Sequence, residues 1–282
     1  MPGIKSSSPF KAIAFDLDGT LLNSKGHLSQ KNIDCLRKLA ERKIQILLVS
    51  GRMTPRTLPY AQQLNFPLTM ITYNGAETLS GFQETWIKEN FRSVDIRAVQ
   101  SLLELCRVQK IFANLYSEGL LYGYHPDGDF NYANHYREQT GAEYHMLYSQ
   151  YSDLPQKNIA KLLIIETPEN RNKLFNQWGP KLEGICALTK SNPEYLEFLG
   201  LGINKGSTLQ IWLDKNNILP NQLLAFGDAE NDLEMLSLAG LGIAMKNATP
   251  GLKKEINTIS MHTNDEDGIA HELSRIFDLN FE

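Results

Sequence analysis

The sequence predicts an α/β fold, in which a doubly wound, Rossmann-like parallel sheet carries a second α/β domain as an insertion. Strand-like and helix-like patterns alternate over roughly the first eighty residues and again after Lys205, as in βαβ units around a parallel sheet. From about residue 84 an aromatic-rich, less regular stretch interrupts them. At 282 residues the chain exceeds the size at which one core grows comfortably. We therefore predict a core of residues 1–83 and 197–282 and an inserted domain of residues 84–196.

The first part of the core is predicted from three apolar runs separated by helical patterns. The predicted strands cover residues 13–15, 44–49 and 68–73. Ser29 is placed to cap the first helix, whose apolar positions keep helical spacing, and Thr54 with Pro55 marks the cap and first turn of the second.

The insertion is predicted to contain its own small sheet. Ser93 is placed to cap a helix, and a Ser-Glu-Gly turn between two apolar runs indicates a hairpin. The predicted strands cover residues 111–116, 120–124, 159–166, 185–190 and 195–199, with a helix after Pro168. The core then resumes with a helix from Lys205, strands at 223–226 and 243–244, and helices after Thr249 and around 269–277.

Composition excludes several classes of partner. The net charge of −4 and a pI near 5.9 leave no basic excess for nucleic acid or a membrane surface. No apolar run approaches the ~20 residues that span a bilayer, and the amino-terminal residues 1–10 lack a secretory signal. The three cysteines, Cys35, Cys106 and Cys186, are odd in number and far apart in the sequence. We therefore predict that they are reduced residues of the core. We expect a soluble cytoplasmic protein, and the sequence does not indicate its oligomeric state.

The chemistry is indicated first by Asp16 and Asp18, which follow the first strand. Residues at this spacing along a strand point to the same side. Two carboxylates held so close repel each other unless a cation neutralises them or they share a proton. Because carboxylate oxygens are hard ligands, the pair predicts a Mg²⁺ site at the carboxyl edge of the sheet.

Three further polar clusters are predicted at the same edge. Ser50-Gly51 follows the second strand, Lys205 begins a helix, and residues 227–232 follow a later strand. Asp228 adds a metal ligand, whereas Ser50, the Gly51 amide, Lys205 and Asn231 are donors suited to phosphate oxygens. An acidic metal site beside such donors is typical of phosphoryl transfer.

These motifs together resemble those of haloacid dehalogenase superfamily phosphatases, in the Cof-like branch with an α/β cap. The motifs are DLDGT at 16–20, SGR at 50–52, NKG at 204–206 and GDAEND at 227–232, and the Asn74-Gly75-Ala76 turn also matches. The resemblance implies that Asp16 is the nucleophile that forms an aspartyl-phosphate and that Asp18 is the general acid and base. It further implies that Mg²⁺ is bound by Asp16, the Asp18 carbonyl and Asp228. The residues that it implies hold the phosphoryl group are Leu17, Ser50, Gly51, Lys205 and Asn231. Asp232 is implied to support the metal site.

The resemblance leaves the substrate open. The branch implies a small phosphate ester of the sugar phosphate, flavin mononucleotide or pyridoxal phosphate type, with the insertion closing over the site. The insertion is rich in aromatic and histidine side chains that suit aromatic or sugar substrates equally: Tyr122, Tyr124, His125, Tyr132, His135, Tyr136, Tyr144 and His145. A phosphomutase and a non-catalytic phospho-receiver or regulatory protein remain alternative functions. For Arg52 the sequence favours neither a structural role nor a position near the substrate. The wide spacing of His125, His135 and His145 argues against zinc.

Overall fold

A computed structural model gives the structure of residues 9–279. Most of the amino-terminal segment, for which we predict no secretory signal, lies outside the described residues. Within residues 9–279 the main strands form two sheets, one of eight strands and one of six. None of the helices in these residues combines the length and the apolar composition that a membrane span requires.

The secondary structure alternates along the chain. The strands are β1 (Ala12–Phe15), β2 (Gln45–Val49), β3 (Leu68–Thr72), β4 (Glu77–Phe82), β5 (Thr85–Phe91), β6 (Ala113–Ser117), β7 (Leu120–Tyr124), β8 (Met146–Tyr148), β9 (Ile159–Ile165), β10 (Cys186–Asn192), β11 (Tyr195–Gly200), β12 (Leu223–Gly227), β13 (Leu241–Ala244) and β14 (Thr258–Ile259). The helices are α1 (Gln30–Glu41), α2 (Thr54–Leu64), α3 (Ile96–Gln109), α4 (Asn131–Thr140), α5 (Pro168–Leu182), α6 (Lys205–Lys215), α7 (Leu233–Leu238), α8 (Pro250–Glu255) and α9 (Gly268–Phe277).

The larger sheet is doubly wound, as predicted. Its order is β14-β13-β12-β1-β2-β3-β4-β5, and the pairs from β14 to β3 are parallel. Because side chains alternate along a strand, β1 packs helices on both faces. Ile13 and Phe15 lie in a cluster with side chains of α1 and α9, whereas Ala12 and Ala14 lie in one with α6 and α7. This sheet and its helices are called the core below.

The smaller sheet has the order β10-β11-β9-β6-β7-β8 and is antiparallel except for the β7–β8 pair. One face packs apolar side chains of α3 and α5, including Leu102 and Trp178. The opposite face contributes Tyr116 and Leu163 to a cluster that also contains Tyr73 of the core. The smaller sheet with α3, α4 and α5 is called the cap below, and this second face is the one that meets the core.

The predicted limits of the inserted domain do not coincide with the limits of the two sheets. β5 pairs with β4 in the larger sheet although it lies beyond residue 84, and β11 belongs wholly to the smaller sheet although the predicted limit at 196/197 falls inside it. The division into domains stays a prediction, and sheet membership leads us to propose limits near residues 92 and 201.

Two predicted helix caps are wrong. Asp95, not Ser93, caps α3, because the Ser93 hydroxyl is bonded to the carbonyls of Val94 and Ile159. The residue before α2 is Met53 rather than Thr54, and the Thr54 hydroxyl is bonded to side chains of β3 and β4. The Ser29 and Thr249 caps are confirmed.

Candidate active site

Polar residues from four segments meet at one edge of the larger sheet. β1 lies between β2 and β12, and the three run parallel, so their carboxyl ends are adjacent. Asp16 follows β1, Ser50 follows β2 and Asp228 follows β12. Lys205, the first residue of α6, reaches the same edge, where its Nζ lies 2.6 Å from Asp16 Oδ1. The structure therefore brings together the segments that the sequence predicts to converge.

Lys205 lies between two carboxylates. Its Nζ also donates to Asp232 Oδ1 at 2.5 Å, and the residue is only 1% exposed. Burial alone lowers the pKa of Lys205, but the charges of Asp16 and Asp232 outweigh it and hold the pKa above its ordinary value. The ammonium group thus stays charged beside Asp16, where it offsets part of the negative charge of the site.

Asp228 completes a group of crowded carboxylates. One oxygen each from Asp16, Asp228 and Asp232 lie within 4.8 Å of one another. Burial, followed by the charge of Asp232, raises the pKa of Asp228 to about 7. Burial also raises the pKa of Asp16 well above its usual range, against the opposing effect of Lys205. Carboxylates held this close bind a proton or a cation readily.

The oxygens of this group are not equally engaged. Asp232 Oδ1 accepts from Lys205, and its Oδ2 accepts from the amides of Asp228 and Ala229 at 2.9 and 3.1 Å. Asp228 Oδ1 accepts from the Thr20 hydroxyl at 3.1 Å. Asp232 therefore orients Lys205 and the loop after β12.

The loop after β1 fits closely around Asp228. Gly19 has a φ of +75°, and a Cβ atom there would lie 2.3 Å from Asp228 Oδ2. Only glycine meets both demands, the left-handed backbone and the close approach. Leu17 and Thr20 are fully buried in the same loop, so the backbone that follows Asp16 is held firmly.

The predicted phosphate-binding residues line the neighbouring strand ends. Ser50 is 1% exposed, and its Oγ accepts from the Arg52 amide at 3.1 Å. Gly51 packs against Asn74, since a Cβ atom at Gly51 would lie 3.1 Å from Asn74 Oδ1. Asn231 Nδ2 donates to the same Asn74 oxygen at 3.0 Å. Asn74 thus connects two of the predicted phosphate-binding residues.

Asp18 lies apart from the carboxylate group. Its carboxylate is 58% exposed and accepts from Arg52 Nε at 2.7 Å and Nη2 at 2.5 Å. Arg52, whose place the sequence left open, is therefore part of the site. Because the Asp18 carboxylate is outside the group, only its backbone carbonyl stays a predicted metal ligand.

Two functional-site neighbours were missed by sequence reasoning. Lys161 on β9 and Glu197 on β11 form a buried ion pair of 2.8 Å that contacts both Gly51 and Asn74. The available signal was a single charged residue inside each of two otherwise apolar strand patterns.

Aspartates and a buried lysine at the carboxyl edge of a doubly wound sheet are typical of α/β enzymes whose active site is charged. The sequence profile of the haloacid dehalogenase-like hydrolases matches residues 13–273. The chain therefore belongs to the haloacid dehalogenase-like hydrolase family.

Relatives match over nearly the whole chain. A Bacillus subtilis 5-amino-6-(5-phospho-D-ribitylamino)uracil phosphatase, YcsE, is 27% identical over 92% of this chain and 93% of its own. The Escherichia coli pyridoxal phosphate phosphatase YbhA is 26% identical over 92% of this chain and 96% of its own. The crystal structure of a haloacid dehalogenase-like hydrolase from Bacteroides thetaiotaomicron superposes with a TM-score of 0.78 at 29% identity, covering 95% and 100% of the two chains. The relatives thus span both the core and the cap.

Proposed function

We propose that the protein is a Mg²⁺-dependent phosphoric monoester hydrolase that acts on small phosphorylated metabolites through an aspartyl-phosphate on Asp16. The observation that carries the proposal is the position of Lys205, whose Nζ bridges Asp16 and Asp232 in a buried site beside Asp228. A carboxylate attacks a phosphate dianion only when nearby positive charge offsets their repulsion. Lys205 supplies part of that charge.

The carboxylates fit a hard divalent cation. Asp16, Asp228 and Asp232 bring three carboxylates together beside one lysine, and burial, followed by the nearby charges, raises the pKa values of Asp16 and Asp228, so a cation that neutralises the group is favoured. Because both Asp232 oxygens are engaged, we assign Mg²⁺ to Asp16, Asp228 and the Asp18 carbonyl. When bound, Mg²⁺ would neutralise negative charge on the carboxylates and on the phosphoryl oxygens.

The reaction proceeds in two displacement steps. An Asp16 carboxylate oxygen attacks phosphorus while the bond to the ester oxygen breaks, and Asp18 gives its proton to the departing alcohol. Asp18 then takes a proton from water, the water oxygen attacks phosphorus, and the bond to Asp16 breaks to release phosphate. The amides of Leu17 and Gly51, the Ser50 hydroxyl, Lys205 and Asn231 hold the phosphoryl oxygens throughout.

The cap supports a small-molecule substrate. Its face towards the core carries the aromatic residues Tyr116, Tyr136, Tyr144 and Tyr195, and Tyr116 and Tyr136 are joined through their hydroxyls at 2.9 Å. Relatives named for esters of pyridoxal and of a ribitylaminouracil act on small organic phosphates.

Three buried free cysteines support a reducing, cytoplasmic location.

Phosphate release by an Asp16→Asn variant tests the proposal. An amide is a far weaker nucleophile than a carboxylate, so we expect no detectable turnover of an aryl phosphate with Mg²⁺. Asp34→Asn, at an exposed carboxylate on α1, is the matched control and should retain full activity. Retained activity in Asp16→Asn would refute the assignment. Isomerised sugar phosphate without free phosphate from a metabolite panel would favour a phosphomutase.

A further inference from the structure

Lys161 and Glu197 form an ion pair that is buried between the cap and the core. The Lys161 Nζ–Glu197 Oε2 distance is 2.8 Å, and the two side chains are 5% and 3% exposed. They lie on β9 and β11 of the cap, and both also bond to residues of the core.

Such a pair adds little stability that apolar residues would not supply. Removing two charges from water costs several kcal/mol per ion, and apolar replacements of a buried pair are often neutral or stabilising. What the two side chains touch is therefore the better guide to their role.

Lys161 acts on the loop that follows β2. Its Nζ donates to the Gly51 carbonyl at 2.8 Å. The amide of the same peptide unit, the Arg52 N–H, donates to Ser50 Oγ at 3.1 Å. Since Ser50 Oγ accepts this bond, its own proton is left to donate elsewhere. Lys161 thus fixes, from the cap, the peptide unit that orients the Ser50 hydroxyl.

Glu197 acts on Asn231 through Asn74. Its Oε2 accepts from Asn74 Nδ2 at 2.9 Å, and Asn74 Oδ1 accepts from Asn231 Nδ2 at 3.0 Å. A carboxylate can only accept, so the Asn74 amide must turn its NH₂ group towards Glu197 and its oxygen towards Asn231. The cap carboxylate therefore sets the orientation of two amides in series.

We propose that Lys161 and Glu197 are positioning residues through which a seated cap orients two phosphate-binding groups of the core, Ser50 and Asn231. The proposal rests on the proposed function, in which these two groups hold the phosphoryl oxygens. It makes phosphate affinity depend on the cap although neither residue needs to touch substrate.

The decisive variant is the charge-neutral double replacement Lys161→Met/Glu197→Met. It leaves no unpaired buried charge, but the Gly51 carbonyl and the Asn74 amide lose their partners, so the thermal midpoint should fall by only a few degrees and the variant should stay folded. With Mg²⁺ present, calorimetric titration with inorganic phosphate should give a Kd about tenfold higher, the loss expected for one hydrogen bond. Glu197→Gln keeps an oxygen for both Asn74 and Lys161 and should remain within about threefold of the wild type.

Arg56→Met is the matched control for loss of cap contact alone. Arg56 on α2 donates to the carbonyls of Thr140 and Gly141 in the cap but to no phosphate-binding residue. Its phosphate Kd should stay within about twofold of the wild type. An unchanged Kd in the double variant, or an equal loss in Arg56→Met, would overturn the proposal. Failure of the proposed function would appear separately, as absent phosphate release by the wild-type enzyme.

Discussion

Arg52 holds the Asp18 carboxylate by two short, parallel bonds, Nε to Oδ2 at 2.7 Å and Nη2 to Oδ1 at 2.5 Å. Arg52 is itself held by Tyr60, whose hydroxyl accepts from Nη1 at 2.9 Å and whose ring centroid lies 5.2 Å from the guanidinium carbon. A bidentate pair fixes both the position and the plane of a carboxylate. Arg52 therefore positions Asp18 as a carboxylate, the form in which it acts as the proposed base towards water.

Replacing Arg52 by lysine should lower kcat for an aryl phosphate about tenfold or more, since a point charge cannot hold both oxygens and a hydrogen bond to a charged group contributes about 1.5–3 kcal/mol. Tyr60→Phe is the control, because it removes one acceptor of Arg52 but leaves the bonds to Asp18. It should cost less than about threefold in kcat. Wild-type kcat in the lysine variant would show that Arg52 has no positioning role.

Gly19→Ala should abolish most activity and weaken Mg²⁺ binding. The added Cβ atom would lie 2.3 Å from Asp228 Oδ2, so the carboxylate must move. Gly128→Ala is the matched control, because Gly128 also has a positive φ, +72°, but no atom of residues 9–279 lies within 4 Å of the new Cβ. Both variants should lose about 1 kcal/mol of stability from backbone strain.

Mg²⁺ titration and activity measurements separate the two glycine variants. Only Gly19→Ala should lose activity, by more than about tenfold, because only there is a proposed ligand displaced. Equal activities of the two variants would show that the Gly19–Asp228 approach is not required.

The sequence predicted those parts of the fold whose signals are local. The first strand, the Ser29 cap and the carboxylates at the strand ends could be predicted, because each is marked by an apolar run or by a characteristic residue type. α4 was missed because its sequence is polar and only Ala133 is buried, which leaves almost no apolar periodicity. The β4–β5 hairpin was missed because it extends a parallel sheet with antiparallel strands across the place where composition changes.

The cap's part in the site could not be predicted for a different reason. Lys161 lies 110 residues from Gly51 and Glu197 lies 123 residues from Asn74, and only the docking of two sheets brings them together. The Arg52–Asp18 pair is similar, since an arginine after a strand is common and its partner depends on the path of the loop. Tertiary pairing of this kind leaves no periodic trace in one sequence.

Lys205→Met should destabilise the metal-free protein by about 3–5 kcal/mol, because it leaves two buried carboxylates without their shared partner. It should also lower kcat by about a hundredfold or more through loss of charge stabilisation. Lys215→Met, at the other end of α6, is the control. Lys215 is 61% exposed and pairs with Glu89 at 2.8 Å, so its loss should cost less than about 1 kcal/mol. Urea unfolding in EDTA compares the two, and equal midpoints would contradict the bridging role.

The metal-free protein should become less stable as the pH rises from about 4 to about 7. Asp228 has a pKa of about 7 in the folded chain against an ordinary value of 3.8, mainly because it is buried and next because Asp232 is charged. The folded state thus binds this proton more tightly than the unfolded state does. The stability that this proton contributes is fully present below the ordinary pKa of 3.8. It is lost as the pH rises through the folded-state pKa of about 7. The raised pKa of Asp16 acts in the same direction.

Urea midpoints in EDTA at pH 5 and pH 8 measure this loss, and the Asp228→Asn variant identifies its source. The uncharged amide should raise the midpoint at pH 8 and reduce the difference between the two pH values, because no proton need be lost there. Adding Mg²⁺ at pH 8 should stabilise the wild type strongly and the variant weakly, since ligand binding to the folded state adds to its stability. Equal wild-type midpoints at both pH values, or a variant that follows the wild type, would show that Asp228 does not carry the buried negative charge that the proposed metal site requires.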